Sequence, residues 1–162
     1  LEENVAGIAG REPEVMKHLI ERCCRLKADV VEADEQERTG IRAKLNYGHT
    51  FGHAFESATQ YGQFLHGEAV AIGMVCASRL AERLGRIDAE ATERQVRLLE
   101  QFRLPTSLPA LELDEVLRLM WHDKKVQDGE IRFVLPTAIG QVDLVGGVSS
   151  ALVKEVLEAA LG

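Results

Sequence analysis

The sequence predicts a mainly α-helical domain with one small β-hairpin near its C-terminus, on three observations. Apolar residues recur at spacings of four and three in the first part of the chain, at Val15, Leu19, Cys23, Leu26 and Val30. Residues that start and stop helices punctuate the rest of the chain: Asp88, Asp114 and Ser149 or Ser150 at starts, Gly85 at an end. After Asp128-Gly129 the spacing changes to that of short strands.

In chain order, Pro13 stands where a first helical turn begins, and the stripe behind it predicts an amphipathic helix to about Val31. A second stripe, Met16, Ile20, Cys24, Lys27 and Val31, runs beside it. Lys27 thus flanks the apolar face, either snorkelling to solvent or holding its cation toward a buried anion. Residues 34–40 read as a charged, solvated loop ending in Gly40. A motif helix comes next, broken by Gln60-Tyr-Gly-Gln. Residues 67–84 form the central buried helix, apolar nearly all round in its first half, with Ala69, Ala71, Gly73 and Ala77 small. Gly85 ends it, and Asp88 caps a helix to about Phe102. Leu104-Pro-Thr-Ser-Leu-Pro109 is a break, after which Asp114 caps a helix through Val116, Leu117, Met120 and Trp121. Residues 131–135 and 142–145, joined through Thr137-Ala-Ile-Gly140, predict the hairpin, and residues 152–161 a last helix.

With 162 residues, 46% of them apolar, the chain can bury a core and is most simply one domain. A formal net charge of −7 without a basic run argues against nucleic acid or an anionic membrane as partners. The longest apolar run, about residues 69–77, is far short of a membrane span. No signal peptide opens the chain, and three cysteines, an odd number, suit reduced thiols and a cytoplasmic location. The chain opens Leu-Glu-Glu-Asn without an initiator methionine, so a processed or excised piece is expected.

The stretch from Arg42 to Glu68 carries the chemistry. It holds three of the five histidines. His49 and His53 are four apart, on one face of a helix, with Glu56 one turn further round. His66 opens the next helix. A pair of histidines on one helix and a third at the mouth of the next resembles a divalent transition-metal site, zinc being the usual occupant. Surface or hydrogen-bonded core histidines are the alternative. Gly48, Gly52 and Gly67 adjoin these histidines, and glycine inside a helix costs ~1 kcal/mol against alanine. Such a cost is tolerated where something must approach closely.

These residues carry a family resemblance. Asn46-Tyr-Gly-His49-Thr-Phe-Gly-His53-Ala, then Leu65-His66-Gly67-Glu68-Ala-Val, closely resembles the 3-dehydroquinate synthase family of the shikimate pathway of aromatic amino acid biosynthesis. Lys27-Ala-Asp-Val-Val-Glu-Ala-Asp-Glu, Leu104-Pro-Thr, Asp123-Lys124-Lys125, and Leu135-Pro with Ile139-Gly140 have counterparts there, in order, over nearly the whole chain. The resemblance covers only that family's multihelical C-terminal domain, so residues 1–162 are expected to be a metal- and substrate-binding domain. The family's N-terminal α/β half, which holds NAD, has no counterpart, and no glycine-rich dinucleotide fingerprint occurs.

The resemblance implies roles. His49 and His66 match two ligands of a catalytic zinc, or cobalt, and the third ligand is a glutamate upstream of Leu1. His53 matches a substrate-binding histidine rather than a ligand, against the simplest reading of the i, i+4 pair. Lys27, Arg42, Asn46 and Lys124 match substrate-contacting positions, with Lys125 a companion. The implied substrate, a seven-carbon keto-sugar acid phosphate, is an anion suited to arginine and lysine. The implied reaction is an internal redox cycle on NAD⁺ with β-elimination of phosphate and aldol ring closure, in which His53 relays a hydroxyl proton. The family assembles as homodimers, and the isolated fragment is expected to be inactive. Three alternatives stand beside this. One is a sugar-phosphate cyclase with another substrate, one a metal-dependent polyol dehydrogenase, and one a non-catalytic helical module for metal binding or oligomerisation.

Overall fold

The computed structural model of the chain describes residues 1–36, 40–122 and 130–162. Asp123, Lys124, Lys125 and the Asp128-Gly129 turn lie outside the described residues. The chain divides into two compact units, Leu1–Leu45 and Asn46–Gly162.

In the first unit, a 3-10 turn (Glu2–Asn4) runs into a short helix α1 (Val5–Ala9). The chain then reverses through Arg11, in the left-handed region at φ +54°, into α2 (Pro13–Ala33). Pro13 occupies the first helical turn of α2, where its missing N–H costs no hydrogen bond. No residue of α2 is buried, and Lys27 is exposed. Asp34 ends α2, its N–H donating to the Val31 carbonyl at 3.2 Å. Asp34 is itself buried, at 5% exposure, which corrects the expectation of a fully solvated loop from residue 34. A second 3-10 turn, Ile41–Asn46, leads into the second unit.

The second unit is built on α4 (His66–Arg83), the helix expected to be central. Ala69, Ile72, Val75, Cys76, Leu80 and Ala81 on it are fully buried. Around α4 pack α3 (His49–Ala58), α5 (Ala89–Gln101), β1 (Phe133–Ala138) and α7 (Ser150–Glu158). Helix α6 (Leu113–His122) lies against α3 and α7. The core joins Phe51 and Phe55 of α3 to Phe133 of β1, with the Phe51 ring 6.4 Å from Phe55 and 5.4 Å from Phe133. Burying rings of this size supplies a large share of the apolar stabilisation.

Two of the predicted caps are formed, whereas Asp114 lies inside the first turn of α6 rather than capping it, its carboxylate accepting from Lys154 Nζ at 2.7 Å. Asp88 accepts from the Ala91 N–H at 2.9 Å, and Ser149 rather than Ser150 accepts from the Leu152 N–H at 3.3 Å. At the head of α4 the Glu68 carboxylate accepts from the Leu65 N–H at 2.8 Å, fixing the turn that delivers His66. The hairpin pairs β1 antiparallel with β2 (Gln141–Val145), Phe133 opposite Val145. The first strand runs on to Ala138 and the turn shrinks to Ile139-Gly140, with Gly140 at φ +86°. Pro136 is tolerated because each strand of a two-stranded sheet has a free edge. The break at 104–109 holds a fully buried Leu108, whose N–H donates to the Ala160 carbonyl at 2.7 Å and ties down the C-terminus. Among the described residues no helix is long and apolar enough to cross a membrane.

Cys23 and Cys24 are exposed and Cys76 is buried. Only the thiolate attacks electrophiles, so two thiols of the folded chain are expected to react with a disulfide reagent near pH 8, and the third only after unfolding. Three equally fast thiols in the native state would contradict this packing.

A candidate metal centre at the crossing of two helices

The site begins with a turn. Tyr47 precedes Gly48, and its hydroxyl donates to Gln95 Oε1 at 2.6 Å, with the Met74 carbonyl 3.2 Å away. This ties the approach to α3 onto α4 and α5. Burial pushes the Tyr47 phenol up to about 12, although hydrogen bonds to Ser78 and Gln95 act the other way. Gly48 sits at φ +80°, in the left-handed region where a side chain is strained.

Next comes the crossing of α3 over α4. A Cβ on Gly73 would overlap the Gly48 carbonyl oxygen and lie 2.9 Å from the Gly52 nitrogen. One on Gly48 would fall 2.8 Å from the Met74 nitrogen, and one on Gly52 3.2 Å from the Ala69 carbonyl oxygen. What approaches closely beside His49 and His53 is therefore the backbone of α4. Gly67 has none of the described residues within 4 Å of its Cβ position, so the close-approach reading does not extend to it.

The crossing gathers the three imidazoles. Ring centroids are 5.4 Å apart for His49 and His53, 5.3 Å for His49 and His66, and 6.0 Å for His53 and His66. His49 Nδ1 lies 3.2 Å from the Tyr47 carbonyl oxygen. His66 Nδ1 lies 3.1 and 3.2 Å from the two carboxylate oxygens of Glu56. A carbonyl and a carboxylate can only accept, so each Nδ1 carries the hydrogen. In the neutral rings that leaves Nε2 of both His49 and His66 with a free lone pair, the form in which imidazole binds a metal.

A second grouping overlaps the first: one ligand atom each from His53, Glu56 and His66 lie within 4.8 Å of one another. Using Glu56 as a ligand would set the metal against the His66 N–H that its carboxylate already receives. The chemistry of the donors therefore favours the pair at His49 and His66, with His53 beside it.

The other predicted residues are spread over both units. Asn46, half-buried, lies in the same unit as the histidines, at the end of the 3-10 turn three residues before His49. Lys27, exposed on α2, and the half-buried Arg42 belong to the first unit. Lys124 lies outside the described residues. The structure adds Tyr47 and Glu56. Glu56 was legible on the histidine face of α3, but nothing in the sequence singles out Tyr47, whose partners lie 27 and 48 residues further on.

Residues 1–126 match the family described as 3-dehydroquinate synthase C-terminal. The chain belongs to that family. Among curated relatives, the 3-dehydroquinate synthase of Shewanella loihica is 45% identical over 161 residues, covering 99% of this chain and 45% of that protein. The 3-dehydroquinate synthase of Synechocystis sp. is 47% identical over 161 residues, covering 99% of this chain and 43% of that protein. The chain thus spans less than half the length of these relatives.

Two solved structures of synthases share the fold. A 2-deoxy-scyllo-inosose synthase, solved with carbaglucose-6-phosphate, NAD+ and Co2+, superposes with a TM-score of 0.77 at 27% identity, over 92% of this chain and 43% of that one. The 2-epi-5-epi-valiolone synthase of Streptomyces hygroscopicus, solved with NAD+ and Zn2+, superposes with a TM-score of 0.80 over 97% of this chain and 44% of that one. At 22% identity the latter match concerns the fold alone.

Proposed function

We propose that the chain is the metal- and substrate-binding C-terminal domain of a 3-dehydroquinate synthase, the enzyme that converts 3-deoxy-D-arabino-heptulosonate 7-phosphate to 3-dehydroquinate and phosphate. The observation that carries the reading is the pair His49 and His66, rings 5.3 Å apart, each with Nδ1 engaged by an oxygen acceptor and Nε2 left as a donor atom. Neutral imidazoles of fixed tautomer fit a divalent ion, zinc or cobalt. A glutamate outside this chain completes the set, and NAD is held by a nucleotide-binding half, also outside it. Cobalt and NAD+ beside a sugar-phosphate analogue in the 27%-identical neighbour support this assignment.

A divalent ion held there supplies Lewis acidity to a substrate hydroxyl. His53 lies beside the pair and is assigned the proton of that hydroxyl, a transfer suited to an imidazole. Arg42, Lys27 and Lys124 are assigned the carboxylate and phosphate ester, and Asn46 a neutral polar contact. The assembly is proposed to be a cytoplasmic homodimer. Identities of 45% and 47% to 3-dehydroquinate synthases, against 27% to a cyclase acting on another sugar, favour the heptulosonate substrate.

The test uses the full-length polypeptide carrying this chain. Phosphate release from the heptulosonate phosphate is expected to require both NAD+ and metal, and His49→Ala is expected to weaken zinc binding by more than about 100-fold, beyond the range of outer-sphere effects. The 162-residue chain alone is expected to bind zinc weakly and to release no phosphate. Unchanged zinc content in His49→Ala would refute the metal assignment, and tight stoichiometric binding by the chain alone would refute the missing ligand.

A further inference from the structure

We infer that Glu56 is a positioning residue for the metal centre: it holds the His66 ring by Nδ1 so that Nε2 is presented as a ligand, and it is not itself a ligand. The inference rests on the assignment of His66 as a metal ligand made above. It starts from a contrast in burial. The Glu56 side chain is only 9% exposed, whereas that of His66 is 59% exposed. A carboxylate is driven out of a protein interior unless it is hydrogen-bonded, and the His66 Nδ1–H meets both of its oxygens at 3.1 and 3.2 Å. His66 is the first residue of α4, and its exposed ring has the His49 and His53 rings beside it, centroids 5.3 and 6.0 Å away. The buried carboxylate adds the directional hold on Nδ1 that ring contacts do not give.

The two histidines differ in what holds them. His49 donates to a neutral backbone carbonyl, that of Tyr47, and substitution of a side chain cannot remove it. His66 donates to a carboxylate, which fixes the tautomer and the ring's orientation. Glu56 comes from α3 and His66 from α4, so their hydrogen bond also spans the helix crossing.

The experiment is a Co2+ titration, read by visible absorption, of the full-length polypeptide and its Glu56→Ala, Glu56→Gln, His66→Ala and Glu56→Ala/His66→Ala variants, with circular dichroism melts of each metal-free form. Glu56→Ala is expected to weaken Co2+ binding by about 10- to 100-fold. Glu56→Gln keeps an oxygen acceptor but loses the charge, so it is expected to weaken binding by less than about 10-fold with unshifted Co2+ bands. If Glu56→Ala does not fold, Glu56→Gln carries the comparison. In the His66→Ala background the Glu56→Ala change is expected to add less than about 2-fold, since its effect runs through the ring.

An affinity for Glu56→Ala equal to the parent's overturns the positioning role, as does a Glu56→Ala effect that persists without His66. Altered Co2+ bands in Glu56→Gln would make Glu56 a ligand and overturn it equally. Loss of Co2+ in His66→Ala with no effect of Glu56→Ala overturns the positioning role alone. Unchanged Co2+ affinity in His66→Ala overturns the ligand assignment as well.

Discussion

Gly73→Ala is expected to lower the unfolding free energy of the second unit by on the order of 2–3 kcal/mol, although alanine is the better helix former by up to ~1 kcal/mol. The added methyl would overlap the Gly48 carbonyl oxygen and press on the Gly52 nitrogen, both backbone atoms with no flexible side chain to yield. Relief requires α3 to lift off α4, which loosens the packing of Phe51 and Phe55 behind it. The same displacement moves His49 relative to His66, so weaker metal binding should accompany the loss of stability. Gly67→Ala is the control, since its Cβ meets none of the described residues within 4 Å and the change is expected to be neutral or stabilising by up to ~1 kcal/mol. Urea unfolding monitored by far-ultraviolet dichroism gives both values. A Gly73→Ala midpoint at or above that of the parent would show that the helices do not meet backbone to backbone.

That crossing also marks how far the sequence could be read. Helix starts were legible because a cap is a local device: Pro13, Asp88 and Ser149 act within three residues of where they stand. The burial of α4 was legible too, because a helix apolar nearly all round has no wet face. The histidine cluster showed in its spacing, and the family resemblance carried the fold. What stayed hidden depends on partners far along the chain. Gly73 gave no sign that it faces Gly48, 25 residues earlier, and Gly67, beside a histidine like Gly48 and Gly52, faces open space among the described residues. Leu108 sits among prolines yet is fully buried, because the chain end returns to pair with it. Asp34 is buried at the start of a charged run for which composition predicts solvent. Glu56 could be placed on the right face, but its bond to His66 exists only once the two helices cross.

The alkaline limb of the stability curve is expected to be set by two acids, the buried Cys76 thiol and the half-buried Tyr47 phenol. Cys76 is fully buried, and desolvation pushes its thiol from 9.0 up to about 12, with the charge of Arg79 acting in the opposite sense. Burial likewise raises the Tyr47 phenol from 10.0 to about 12. Below pH 9 both groups keep their protons in the folded and unfolded chain, and neither makes stability depend on pH. From pH 9 the unfolded thiol releases its proton while the folded one holds it, so unfolding is favoured progressively until about pH 12. Tyr47 adds to the slope between pH 10 and 12. At ~1.4 kcal/mol for each unit of difference, the thiol withdraws about 4 kcal/mol and the phenol about 3 kcal/mol over those windows. Denaturant titrations at steps from pH 8 to 11 measure the loss. Cys76→Ala is expected to start less stable at pH 8, because a small cavity replaces the sulfur, yet to lose less on going to pH 11. Tyr47→Phe strands Gln95, whose Nε2 already lacks a partner among the described residues, at a cost of about 1–3 kcal/mol at neutral pH, and it is expected to flatten the slope above pH 10 only. Parallel curves for the parent and both variants would place the sulfur and the phenol in water and dissolve the packing of α4 against the Tyr47 turn.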